Sequence, residues 1–314
     1  MKMKSPATGN ILMLLLTIWY LIGRWVSGLI LQGTLERAIF TMVVGLFVPF
    51  LLYLLFTKQK PTDVLQLNIP NRKNVILAII LGIALVPVVI TITMIVPILR
   101  SFIFPPTETL TSFFGAMPSI WALIVVGAIF PGVFEEIWFR GAIYNQYHGH
   151  KNGVSIAKTA IITGLIFGLL HGNILQIIYA FPFGIMLAYL LYYTRSIWIP
   201  ILTHFIINAL SMTLGYISQR APGLTENYLE YAHAGASIVE GIILFGGLSL
   251  IMMPVVIICL KKFKKHHITN ASHNTKLDEV VEEESKIFTW PFWATIVILV
   301  VYTLLRDFGI IDVI

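Results

Sequence analysis

Two neighbouring carboxylates, an arginine, two histidines and an asparagine are set into stretches that are otherwise almost wholly apolar. Glu135, Glu136 and Arg140 lie in AIFPGVFEEIWFRGAIY (128–144), His171 in IITGLIFGLLHGN (161–173), and His204 with Asn208 in IWIPILTHFIINAL (197–210). Ionisable groups are expensive in hydrocarbon, so their presence there is by default a functional signal. The residue types suit hydrolysis. A carboxylate and an imidazole can take a proton from water, while a second imidazole and a carboxamide can donate to a developing oxyanion.

Helical spacing distributes these groups. Glu136 and Arg140 are four residues apart, share a face and can form a charge-assisted pair, expected near the inner interface. On a 3.6-residue turn Glu135 is rotated about 100° from Glu136, so it is expected to point into the bundle with a separate task. His171 follows Phe167 by one turn. The hairpin between their two helices turns near 149–153, which would bring Glu135 and His171 to similar depth, able to hold one water between them. His204 and Asn208 share a face of a third helix.

Each feature alone also has a structural reading. An intramembrane Glu–Arg pair can tie two helices together, and a lone histidine or asparagine can be an interhelical hydrogen-bonder. All three together favour chemistry. Other membrane hydrolase designs fail on residue types. HExxH does not occur, and Asp63, Asp278, Asp307 and Asp312 fall in loops or at helix ends, so an intramembrane aspartyl pair is excluded. Gly235-Ala236-Ser237-Ile238 lacks the second glycine of a serine elbow.

The elements that must position these residues are membrane helices. Of 314 residues 57% are hydrophobic and 11% charged, and the mean hydropathy is +0.86. Runs of about 20 apolar residues recur, each long enough to cross a bilayer. Spans are expected near 11–32, 36–57, 75–99, 119–147, 154–172, 174–194, 197–218, 236–260 and 287–306. The fold class is thus all-α: a polytopic membrane protein of eight to nine helices with the active site inside the bundle. Lysines and arginines gather in alternate loops (Lys2, Lys4; Lys58, Lys60, Arg72, Lys73; Lys151, Lys158; Arg195; Lys261, Lys262, Lys264, Lys265), which predicts a cytoplasmic N-terminus. The +6 net charge is therefore a topology signal rather than a sign of a nucleic-acid partner. The first span is too long for a signal h-region and carries Arg24, so it is read as a retained helix. Cys259 has no partner for a disulfide. Residues 1–260 form the bundle, 261–286 read as a disordered charged cytoplasmic linker, and 287–314 as an additional helix not obviously part of the core. Asn270 is a sequon only on paper, since its loop faces inward. Arg24 and Glu240 are further intramembrane charges, read as snorkelling to an interface.

EEIWFRG (135–141), FGLLH (167–171) and HFIIN (204–208) match EExxxR, FxxxH and HxxxN. In these motifs the chain resembles the CPBP family, which comprises type II CAAX prenyl endopeptidases and bacteriocin-processing or immunity (Abi) proteins. The likeness covers 120–212, including the linking LAYLLYYTRSIWIPILTH (187–204). It implies that Glu135 and His171 activate water for attack on a peptide bond, that His204 and Asn208 stabilise the oxyanion, and that Glu136 and Arg140 shape the site. Trp138 is bulkier than the aliphatic residue expected there, which bears on substrate shape.

Cofactor and partners follow from that resemblance. Glu135, His171 and His204 could ligate zinc in an open three-ligand site, but they come from three helices without close histidine spacing, so direct water activation with no cofactor is preferred. The expected substrate is a membrane-tethered peptide or protein cut near the cytoplasmic leaflet, in a bacterial cell membrane. A non-proteolytic immunity or scaffold protein is the alternative. A proton-coupled transporter is a third reading, disfavoured by the lack of an inverted repeat.

Overall fold

The computed structural model describes residues 5–105, 110–148, 154–220, 236–271 and 287–311. Nine long helices run through them: α1 Pro6–Ile30, α2 Thr34–Thr57, α3 Arg72–Arg100, α4 Ile120–Tyr147, α5 Ile156–Leu170, α6 Ile174–Thr194, α7 Trp198–Arg220, α8 Ala236–Ala271 and α9 Trp290–Asp307. Their starts are set by local chemistry. Ser5, Asn71, Ser119, Ser155 and Asn173 each accept a backbone N–H from three residues on, satisfying a donor the helix cannot. α2 and α6 stop where Lys58 and Arg195 turn left-handed.

Eight of these helices are long and apolar enough to cross a membrane, and α5, at 15 residues, is shorter. Parity shows what α5 does. Asn10, near the start of α1, donates to the Ile287 carbonyl and the Thr289 hydroxyl at the start of α9, and Arg24 interacts with Tyr302 towards the other ends. α1 and α9 are therefore parallel, which requires an odd number of legs between them. α5 is one of the seven.

The α5–α6 hairpin is held by small residues. Gly164 and Gly168, spaced as GxxxG, lie against the α6 backbone at Phe181 and Ile185, and Gly184 packs on Gly164. Where lipid gives helices no hydrophobic reason to associate, such close approach supplies the packing instead. The loop ahead of α3 ties off the other end of α6. The Ile197 amide donates to the Gln66 carbonyl and the Ser196 hydroxyl to the Asn68 carbonyl.

Three expectations change. Residues 261–271 continue α8 as helix instead of opening a linker, because His266 and His267 anchor them through Asn74 and the Tyr193 carbonyl. The remainder of the expected linker, 272–286, and the hairpin turn at 149–153 lie outside the described residues. α9 is no appendage: it packs on α1 and α5, and Phe292 and Leu299 are buried in the main core. Arg24 does not snorkel. Its guanidinium lies over the Tyr20 ring and reaches the Tyr20 hydroxyl at 3.5 Å. Glu240 is exposed on α8.

Candidate active site

α4 departs from α-helical geometry through most of its length. Val125–Ile129, Pro131–Glu135 and Ile137–Ile143 are π-helical. A π turn holds more residues than an α turn, so successive side chains stand closer in angle, and such turns are frequent at functional sites. The angular separation of Glu135 from Glu136 expected from a 3.6-residue turn does not apply, and both acids converge on one histidine.

That histidine is His204. Its Nδ1 donates to Glu136 Oε1 at 2.9 Å, while its Nε2 faces Glu135 Oε2 at 3.9 Å. Arg140 Nη1 donates to the same Glu136 oxygen at 3.0 Å, and Arg140 Nη2 donates to the Gly184 carbonyl at 2.9 Å. Glu136, Arg140 and His204 are buried, with exposures of 0%, 1% and 3%. The pair is therefore deep rather than near an interface, as its anchor Gly184, halfway along α6, makes plain. Glu135 Oε2 is buried and has no hydrogen-bond partner among the described residues. A buried orphan acceptor of this kind calls for water or an arriving donor.

His171 stands at the end of α5, half-buried. Its Nδ1 donates to the Phe167 carbonyl at 2.8 Å. Because a carbonyl can only accept, Nδ1 carries the hydrogen and the neutral ring keeps its lone pair on Nε2. Phe167 links the two histidines: its ring centroid is 5.1 Å from that of His171 and 6.0 Å from that of His204, and Arg140 lies 4.7 Å over it. Phe183 closes the other side of His204 at 5.2 Å. Asn208 lies one turn beyond His204, half-buried, with no side-chain hydrogen bond among the described residues.

Some participants had no sequence signal. Tyr20 of α1 and Tyr179 of α6 lie within electrostatic range of Glu135. α9 grips the His171 turn directly. Arg306 Nη1 donates to the His171 and Gly172 carbonyls at 3.2 and 3.3 Å, and Asp307 accepts the first amide of α6, Ile174, at 2.9 Å. Asp307 is held in turn by Arg100 at 3.3 Å. Gly172 has φ of +65° and lies beneath the Tyr302 ring, so neither its backbone angle nor its space admits a side chain. Trp138, by contrast, sits away from the acids, with its indole donating to the Leu46 carbonyl in the π turn of α2. It packs edge-on to Phe50, so its bulk fills the core.

The two histidines keep Nε2 available, and each holds its Nδ1 on an oxygen acceptor. Among the described residues no three His, Cys, Asp or Glu side chains are grouped to hold an ion.

These features define a class: a polytopic all-α membrane protein whose two neighbouring glutamates meet His204 inside the bundle. Residues 117–210 match the model of the family described as "Type II CAAX prenyl endopeptidase Rce1-like", and all three motifs lie within that match. The chain is also similar to "Putative membrane peptidase YdiL" of Bacillus subtilis (strain 168), 26% identical over 135 residues, which is 43% of this chain and 52% of that protein. It thus spans about half the length of that relative. No solved structure matches it.

Proposed function

We propose that this protein is an intramembrane endopeptidase that hydrolyses a peptide bond in a membrane-associated peptide or protein. The observation that carries the reading is the orphan Oε2 of Glu135, buried and facing an imidazole. It is supported by the family match over 117–210.

In this mechanism Glu135 and Nε2 of His171 take a proton from water, and the resulting hydroxide attacks the scissile carbonyl carbon. The negative charge that develops on the carbonyl oxygen is met by His204 and Asn208. To donate from Nε2 while Nδ1 donates to Glu136, His204 carries hydrogen on both ring nitrogens. Arg140 holds Glu136 aimed at His204. The proton taken from water passes to the departing amine, leaving a carboxylic acid and an amine. No metal enters any step.

Purified protein in liposomes with a membrane-tethered reporter peptide tests this. Glu135→Gln and His171→Ala should each lower cleavage by about 10²–10⁴-fold, the usual worth of a general base, at unchanged expression. Full cleavage by either variant would overturn the mechanism. Comparing the membrane proteomes of wild-type and Glu135→Ala cells would then name the substrate, as the protein that accumulates uncut.

A further inference from the structure

Arg24 is a charged group that the mechanism above does not use. It lies in α1, outside residues 117–210, and a guanidinium cannot shed its charge there. Arg140 and Arg100 each have a carboxylate, from Glu136 and Asp307. Among the described residues Arg24 has none within ion-pair distance. Its partners are aromatic: it lies over the Tyr20 ring, and Nη1 donates to the Tyr20 hydroxyl at 3.5 Å. Its Nε is buried and holds no hydrogen bond. Tyr302 of α9 stands in electrostatic range, with a hydroxyl that is likewise buried and stops short of hydrogen-bond geometry.

The surroundings add positive charge. Arg306 lies in electrostatic range of Arg24. Its Nη1 is engaged by the His171 and Gly172 carbonyls. The acid beside it, Asp307, has one oxygen on Arg100 and the other on the Ile174 amide. Two guanidiniums thus lie near each other while the nearby acid is held elsewhere, and their repulsion is stronger here than in water. What is missing is an oxyanion, with lone pairs for Arg24 Nε and for the Tyr302 hydroxyl.

This corner borders the active site. Tyr20 lies in electrostatic range of both Arg24 and Glu135, linking the cation to the proposed base. The Tyr302 ring covers Gly172, the residue after His171, and Arg306 grips the same turn. Arg24, Tyr302 and Arg306 are each half-buried, so a ligand can reach them. A peptide whose scissile carbonyl meets Glu135 and His171 passes within a few residues of Arg24.

We propose that Arg24 and Tyr302 form a subsite for a carboxylate of the substrate, borne close to the bond that is cut. This rests on the peptidase reading and deepens it. The edge of a guanidinium formed by Nε and Nη2 presents two parallel N–H donors that match the two oxygens of a carboxylate, and the Tyr302 hydroxyl adds a third. Arg306 contributes field and is no ligand, since its Nη1 serves the backbone. An acidic side chain and a free C-terminus offer the same chemistry. Because the contact is remote from the reacting atoms, it acts on which peptide binds.

The test uses full-length protein in phosphatidylcholine vesicles and membrane-tethered reporter peptides in matched Asp and Asn pairs, the pair placed in turn at each position flanking the cleaved bond. A further pair ends near the bond with a free or an amidated C-terminus. KM is read from cleavage and Kd from binding. For wild type one pair should favour the carboxylate by about tenfold in both constants, the size of one buried charge-assisted contact. The pair that responds tells a side chain from a terminus. Arg24→Gln should bring the ratio to near one, and Tyr302→Phe, which removes a neutral donor, should reduce it about threefold. Arg24→Lys should keep part of it at the wild-type unfolding temperature, which separates charge from misfolding. No preference in any pair, or a preference kept by Arg24→Gln, would overturn the proposal. So would its loss when phosphatidylglycerol replaces part of the phosphatidylcholine, which would give the site to a lipid phosphate. A preference in Kd with no cleavage of any reporter would overturn the peptidase reading while the carboxylate site stands; cleavage without preference would do the reverse.

Discussion

Glu136 Oε1 receives two charge-assisted donors, from Arg140 and from His204, in a place without solvent. Removing one partner strands the others. Glu136→Gln leaves Arg140 buried without its counter-charge, and Arg140→Met leaves Glu136 so; each should cost about 3–5 kcal/mol, read as a lower unfolding temperature. In the double variant no stranded charge remains, so its loss should be less than the two single losses added together. Activity should not return with stability there, because His204 loses its acceptor. A readout at the same scale concerns metal. Chelator treatment should leave cleavage unchanged, and loss of activity that zinc restores would overturn the metal-free mechanism. The types of these residues and their one-turn spacings were legible in the sequence. The convergence of both glutamates on His204 was not, since it arises along a helix wound into π turns that a 3.6-residue period cannot reveal.

α5 and α6 form the element on which His171 depends, and two features fix its geometry. A Cβ at Gly168 would stand 3.1 Å from the Phe181 backbone nitrogen, and Gly172 combines a φ of +65° with the Tyr302 ring above it. Gly168→Val should push the helices apart and lower both the unfolding temperature and the cleavage rate. Gly172→Ala should cost about 1–3 kcal/mol from backbone strain together with displacement of Tyr302. α9 reaches the same turn from outside the family match. Arg306→Met should lower kcat with little change in KM, because Arg306 orients the His171 backbone and does not meet the reacting atoms in the proposed mechanism; Arg306→Lys should recover part of the loss. An unaltered kcat in Arg306→Met would show that the turn holds its shape unaided. Helix positions were readable from apolar run length and capping residues. The partnership of α9 with His171 was not, because it joins residues more than 130 positions apart through backbone carbonyls, which leave no side-chain pattern.

For the whole molecule, the parallel arrangement of α1 and α9 ties the topology to one choice. With nine legs, the chain before α1 and the end of α8 lie on one side, which the alternation of lysines and arginines predicts to be cytoplasmic. In a Cys259→Ala background, Lys4→Cys and Lys264→Cys should both be shielded from a membrane-impermeant maleimide in intact cells and labelled in inverted vesicles. Labelling of only one of them in either preparation would break the nine-leg count. The same arrangement puts the proposed chemistry at mid-bundle, so a substrate must bring its scissile bond down between helices instead of meeting the enzyme at a surface.

From the sequence alone follow the all-helical membrane class, the places of the long helices and the polar residues set among them. These are local properties: apolar run length, caps, charge placement and residue type. Only the tertiary structure decided which groups share a task, that His204 is the point where both glutamates meet, and that α9 and its Arg306 belong to the site. Those relations are set by the close packing of helices remote in sequence, and by a backbone wound into π turns, neither of which any local pattern of residues encodes.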